Sequence, residues 1–290
     1  MFEEKIKDLV ISSLVIDSYC LGTHWVYDEE QLIDNSINWN ALNVPIALWH
    51  KGKIAGDFTH YGDQTLWLYE FLKDKNSFDE NAFKDFWFEK MKHYTGYIDG
   101  ASRNTLSNIE EKISPSGSSS TDLSIVGRIA PLLKVSKTKN EFFKNVEKFV
   151  SITHNSQLAK DCADFFAKLL ILVLEKNDIK KSILKQKETC DEHFQSMIEK
   201  ALNSKEEDSF KAIRDFGPAC DINGGFSGVI YLLIKYDNLK NMIIANSKAG
   251  GDTSARAMIA TIIFMANHEI GQLPKEWMNI NAKEKIEDKF

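Results

Sequence analysis

The chain has 290 residues, 43% hydrophobic and 27% charged, and 36 basic against 42 acidic residues leave a net charge of −6. With 18 Phe, 8 Tyr and 6 Trp it holds too much core material for a disordered chain. The acidic balance excludes the basic stripe of a nucleic-acid binder, and no run of about 18 apolar residues is present to span a membrane.

Met1-Phe2-Glu3-Glu4-Lys5 opens with charge and lacks the apolar centre of a signal peptide, so a cytoplasmic protein is expected. Ile6, Leu9, Val10, Ser13 and Leu14 then fall on one face of a helix. The same spacing recurs at Phe142, Val146, Phe149 and Val150, at Leu158 through Val173, and at Ala255, Met258, Ile259, Ile262, Ile263 and Ala266. The apolar run Gly228–Ile234 reads as a buried helix. Lys176–Glu192 reads as a solvated helix and loop, and Asn203–Ser209 as a charged surface loop. Ser114–Asp122 is either a floppy connector or a loop that offers hydroxyls and amides to a ligand. Cys20, Cys162, Cys190 and Cys220 are widely spaced without a CxxC pair, which predicts reduced thiols and no cysteine framework. Strict alternation is scarce, no repeat stands out, and no linker divides the chain. The expectation is one all-α domain over residues 1–290.

Three places have chemistry to offer. In the first, the apolar face of the N-terminal helix continues to Asp17, a carboxylate that needs a partner if buried: a metal, a helix N-terminus or an arginine. Just beyond, His24 sits between a Gly-containing turn and the aromatic pair Trp25 and Tyr27, which suits a site wall and equally suits packing. The second is Gly56–Leu66, where the loop is read as ending at Gly62 and Asp63 as opening the next helix, either as its N-cap or as a site acid. The third is Lys248–Arg256, where Gly250 and Gly251 precede Asp252 at a helix start and allow close backbone approach. No strand precedes this Gly-Gly-Asp, so it is not a nucleotide-binding fingerprint.

Taken in order, these segments resemble the ADP-ribosylglycohydrolase family, and within it the branch related to J1-crystallin. The resemblance rests on Ser13–Asp17 with His24–Tyr27, on Tyr61-Gly-Asp-Gln-Thr65 and on Gly127-Arg-Ile-Ala-Pro-Leu132. Thr153-His154, Gly250–Thr253 and Leu273–Trp277 extend it over most of the chain. It implies a single-domain orthogonal helical bundle with a cleft that holds a magnesium pair on acidic helix starts. The implied activity is hydrolysis of an N- or O-glycosidic bond of ADP-ribose, or of a related nucleoside-type substrate, that is, of a small molecule or an ADP-ribosylated protein. The implied roles are His24, Asp63 and Asp252 as catalytic, with Asp63, Asp252 and Thr253 as metal ligands. Trp25, Tyr27, Tyr61, Ser119, Ser120, Arg128, His154, Gly250 and Gly251 would contact substrate.

The motifs depart from the family pattern. Thr-Asp-Asp-Thr is matched to Tyr61, Gly62, Asp63 and Gln64, and Gly-Gly-Asp-Thr-Asp-Thr to Gly250 through Ala255, so each loses a carboxylate. His24 stands where the family has a catalytic acid. Two divalent ions bring four positive charges, against which Asp63 and Asp252 return two and Asp17 a third, so one magnesium ion or none is expected. Helix N-termini, Arg128, His154 and His24 would then favour phosphate. Structural alternatives remain beside these roles: an Arg128–Asp122 ion pair, and a helix-cap contact for His154. The alternative function is a non-catalytic ligand binder or a crystallin-like structural protein that keeps the fold. All of these readings place Asp63 and Asp252 across one shared pocket.

Overall fold

A computed structural model describes residues 2–34 and 36–287. Its helices are α1 (Phe2–Cys20), α2 (Glu29–Leu32), α3 (His60–Leu72), α4 (Glu80–Lys92), α5 (Gly100–Glu110), α6 (Lys139–Thr153) and α7 (Gln157–Leu174). They continue with α8 (Ile179–Lys187), α9 (Glu192–Asn203), α10 (Ser209–Phe216), α11 (Ile222–Lys235), α12 (Leu239–Ala249), α13 (Thr253–Met265) and α14 (Lys283–Glu287). Short 3-10 turns join them, and the described residues contain no sheet, only three isolated bridges. The fold is all-α.

Most of these helices begin at an Asp, Asn, Ser or Thr whose side chain accepts a backbone N–H of the first turn, as at Asp79, Asp99, Thr138, Ser156 and Asp252. The apolar stripes read in the sequence face one core. α13 is buried at every position from Thr253 to Met265, its first turn polar and the rest mostly apolar. α1 packs along it, and α11, α12 and the 3-10 turn Leu123–Arg128 enclose the rest. Trp277 stacks on Tyr19 at 3.8 Å and closes the end of α1. Gly228–Ile234 lies inside α11, as its pattern suggests. Lys176–Glu192 contains α8, which buries Ser182, Ile183 and Gln186 and exposes Lys181 and Lys185. No described helix is long and apolar enough to cross a membrane.

One boundary differs from the sequence reading. α3 begins at His60, with Thr59 as the N-cap: its Oγ1 accepts the Tyr61 N–H at 3.1 Å. Asp63 is therefore a first-turn residue, not the cap. The misleading signal was Gly62, which does not end a loop. Its hydrogen faces Asp17, and a Cβ there would come within 2.1 Å of Asp17 Oδ2.

This gives a test in which two effects oppose each other. Helix propensity alone favours Gly62→Ala by about 1 kcal/mol, whereas overpacking against Asp17 costs roughly 1–3 kcal/mol or more. We expect a net loss of up to roughly 2 kcal/mol or more in urea unfolding, and a stabilised variant would refute the steric role assigned to Gly62.

Candidate functional site

The starts of α3 and α13 meet at the end of α1. Asp17 is fully buried and accepts from Thr59 N at 2.8 Å, from Thr59 Oγ1 at 2.6 Å, and from the Ser254 hydroxyl. Burial pushes its carboxyl up, and these three donors oppose the shift. Asp252, also fully buried, caps α13 through Ala255 N at 3.0 Å and accepts from Tyr61 OH at 3.0 Å. His24 Nδ1 lies 3.4 Å from Oδ1, the oxygen that caps α13, and accepts the Ser254 N–H at 3.4 Å.

The turn before Asp252 is built for close approach. Gly250 and Gly251 have φ of 71° and 68°, and a Cβ on Gly251 would lie 2.1 Å from Pro218 O. Arg256 bolts the turn from inside: its guanidinium donates to Asn246 Oδ1 at 2.9 Å, Pro218 O at 2.8 Å and Gly250 O at 2.6 Å. Trp25 N donates to Gly251 O at 2.7 Å, and Gly251 N to Val26 O at 2.8 Å, so the turn after α1 is stitched to the same place.

The other anticipated residues are distributed unevenly. Asp63 and Asp252 share no partner. Asp63 is held by Lys53 Nζ and Tyr94 OH, each at 2.6 Å. Thr253 Oγ1 donates to Cys20 O at 3.3 Å. Arg128 is buried and donates to Gln64 Oε1 and Ser124 Oγ, each at 2.8 Å, with its guanidinium 5.2 Å from the centre of the Tyr61 ring, so its hydrogen bonds are not to Asp122. His154 ends α6 rather than starting α7; its Nδ1 meets Thr153 Oγ1 at 2.9 Å, and burial with the nearby Arg128 charge lowers its pKa to about 3. Ser119 is exposed. Ser120 braces its own loop, its Oγ accepting from Asp122 N and its carbonyl from Ser156 Oγ. Tyr27 is 44% exposed, and Trp25 is half-buried with φ 62°.

Several residues beside Asp252 carried no local signal. Asp122, Cys220 and Asp252 place one donor atom each within 4.8 Å of one another, the one such set of three among the described residues. Three loops bring them together: Leu123 N donates to Cys220 O at 2.8 Å, Ile222 N to Thr121 O at 3.0 Å and Asp252 N to Pro218 O at 2.7 Å. Burial, reinforced by the Asp252 and Asp99 charges, pushes Asp122 up to about 6; burial also brings Asp252 to about 6, against the pull of the Ala255 amide and Arg256. Burial raises the Cys220 thiol, which stays neutral. Asp99 lies 3.3 Å from His60 Nε2, and its carboxyl is held below the usual range because His60 and Arg128 outweigh burial. Both are N-caps, Asp99 of α5 and Asp122 of the 3-10 turn Leu123–Arg128.

A sequence model of the ADP-ribosylglycohydrolase family matches residues 1–288. The chain belongs to the ADP-ribosylglycohydrolase family. It is 22% identical to Crystallin J1A of Tripedalia cystophora over 299 residues, covering 97% of this chain and 93% of the relative. Crystallin J1B of the same organism is 21% identical over 302 residues, covering 96% and 94%. The fold matches a solved structure titled "ADP-ribosylglycohydrolase-related protein complex" with a TM-score of 0.72 and 14% identity, over 99% of this chain and 95% of that one.

Family members are typically metal-dependent, but these residues do not fit a magnesium pair, which wants several free oxygens around each ion. Asp63 is neutralised by Lys53, Gly62 and Gln64 bring no carboxylate, and the Ser254 and Thr253 hydroxyls are already donating. The set that does converge includes a thiol, which magnesium does not favour.

The two ends of the site should respond differently to substitution. Arg256→Met removes the donor to two buried acceptors, Asn246 Oδ1 and Gly250 O, and to the part-buried Pro218 O, and is expected to cost roughly 3–5 kcal/mol. Asp63→Ala removes a partly exposed pair and should cost about 1 kcal/mol or less. Urea titrations of both variants would refute this ordering if Asp63→Ala proved the more damaging.

Proposed function

We propose that this chain hydrolyses an N- or O-glycosidic bond of ADP-ribose or of a related nucleoside-type substrate, using the carboxyl pair Asp122–Asp252 without a magnesium pair. The convergence of these two acids from distant loops carries the reading. Like charges this close favour a shared proton, which suits general acid–base work near neutral pH. Asp122 is half-buried and is the member a ligand meets first, whereas Asp252 stands behind it, fixed by Tyr61 and the α13 amides. The protonated member would donate to the leaving oxygen or nitrogen, the ionised member would stabilise the positive charge that develops on the sugar ring, and water adding to that ring would return its proton to the first. Tyr27 and Trp25 would flank the sugar, and the exposed Ser119 would stand at the rim.

A second reading is a ligand-binding or structural protein that keeps the fold. It is favoured by the engagement of Asp17, Asp63, Arg128 and Thr253 within the protein, and by relatives named crystallins.

The test is cleavage of ADP-ribosylated protein and of small ADP-ribosyl conjugates, with magnesium and with EDTA, beside calorimetry with ADP-ribose. We expect turnover that is indifferent to EDTA and falls by roughly 100-fold or more in Asp122→Asn and Asp252→Asn. Binding without turnover would select the second reading, and neither binding nor turnover would defeat both ligand-based forms.

A further inference from the structure

Three aromatic side chains from separate segments form a corner beside the turn that carries Asp252. Trp25 lies in the turn after α1, Trp49 in the 3-10 turn Leu48–His50, and Tyr97 in the loop before α5. Their rings stand steeply to one another. Trp25 and Tyr97 meet at 82° with centres 4.9 Å apart, Trp25 and Trp49 at 89° and 6.5 Å, and Trp49 and Tyr97 at 70° and 5.7 Å. Trp49 is 59% exposed, and Trp25 and Tyr97 are half-buried. A lone exposed indole needs no explanation, but aromatic surface gathered beside convergent polar groups marks a place for a ligand.

The backbone is strained to hold this arrangement. Trp25 has a φ of 62°, a left-handed conformation that is costly for so bulky a residue. It persists because Trp25 N donates to Gly251 O at 2.7 Å and Gly251 N to Val26 O at 2.8 Å. One face of the indole is covered. His24 and His50 stack on it at 4.6 Å and 5.6 Å, and at 5.1 Å from each other they are too close to lie on opposite faces. The Tyr61 ring, whose hydroxyl donates to Asp252, is centred 6.4 Å from the Trp25 ring. The corner therefore begins one ring away from the acid pair. A ring bonded directly to the reacting sugar carbon is placed to enter it. The adenine of ADP-ribose is separated from that carbon by two riboses and a pyrophosphate.

We propose that Trp25, Trp49 and Tyr97 hold a planar heteroaromatic leaving group, so that the bond cut is an N-glycosidic bond of nucleoside type. The proposal rests on the hydrolase reading and narrows its substrate. A heteroaromatic base stacks on an aromatic face whatever its substituents, and rings set across that face bound its edges. In the step, the carbon–nitrogen bond breaks with its electron pair going to the ring nitrogen. The proton of the Asp122–Asp252 pair joins the leaving ring, and water adds hydroxide to the sugar carbon and returns a proton to the pair.

The experiment titrates the full chain with adenine, uracil and ribose while the indole ¹H–¹⁵N signals are followed, those of Trp25 and Trp49 being assigned through Trp25→Phe and Trp49→Phe. Hydrolysis of adenosine and uridine is measured beside that of an ADP-ribosyl-serine peptide, whose leaving group has no ring. Adenine and uracil should shift the Trp25 and Trp49 signals, and ribose should not. Trp49→Ala should weaken base binding and lower kcat/KM for the nucleosides by roughly 5–100-fold, leave the peptide unchanged, and be rescued by Trp49→Phe. The inference is overturned if neither base shifts these signals, if ribose shifts them as strongly, or if Trp49→Ala slows the peptide as much as the nucleosides. Should Trp49→Ala fail to fold, the wild-type shifts alone decide. Base binding in a protein that turns nothing over keeps the corner as a site for planar rings and defeats the hydrolase reading. Turnover of the peptide without base binding keeps the hydrolase reading and defeats the inference.

Discussion

The buried carboxylate of Asp17 is the constraint on which the rest of this structure depends. A carboxylate with no solvent contact is costly unless donors surround it. Here Thr59 supplies two and Ser254 a third, and each stands at a helix start. One side chain on α1 therefore fixes where α3 and α13 begin relative to each other. The neighbours have adapted to it. Gly62 has no side chain because one would strike Asp17. Position 254 carries a hydroxyl where the family motif carries an acid, and an acid there would set a second buried charge against Asp17.

The same geometry explains why Asp252 is kept while its family companions are gone. One of its oxygens caps α13 and faces His24, and the other receives Tyr61. Arg256 and the two left-handed glycines hold the turn in place from behind. Asp252 would be retained for this architecture alone, so its presence is not by itself evidence of a magnesium site.

Much of the scaffold was legible because it is local. Periodic apolar residues marked α1, α6, α7 and α13, and Asp252 was visible as a cap. Asp63 was misjudged because Gly62 imitates a loop end, and only the distant Asp17 reveals why a glycine sits inside a helix. Asp122 and Cys220 were not legible as site residues, because their significance comes from pairings across up to 130 positions, such as Asp122 with Asp252.

Asp252 is also where capping and chemistry meet. Its Oδ1 accepts the Ala255 amide and lies beside His24, its Oδ2 accepts the Tyr61 hydroxyl, and Asp122 and Cys220 stand within 4.8 Å of it. A carboxylate whose oxygens already accept such donors is stabilised in its ionised form. A proton shared by the pair therefore rests on Asp122, the half-buried member, which is the one placed to hand it on.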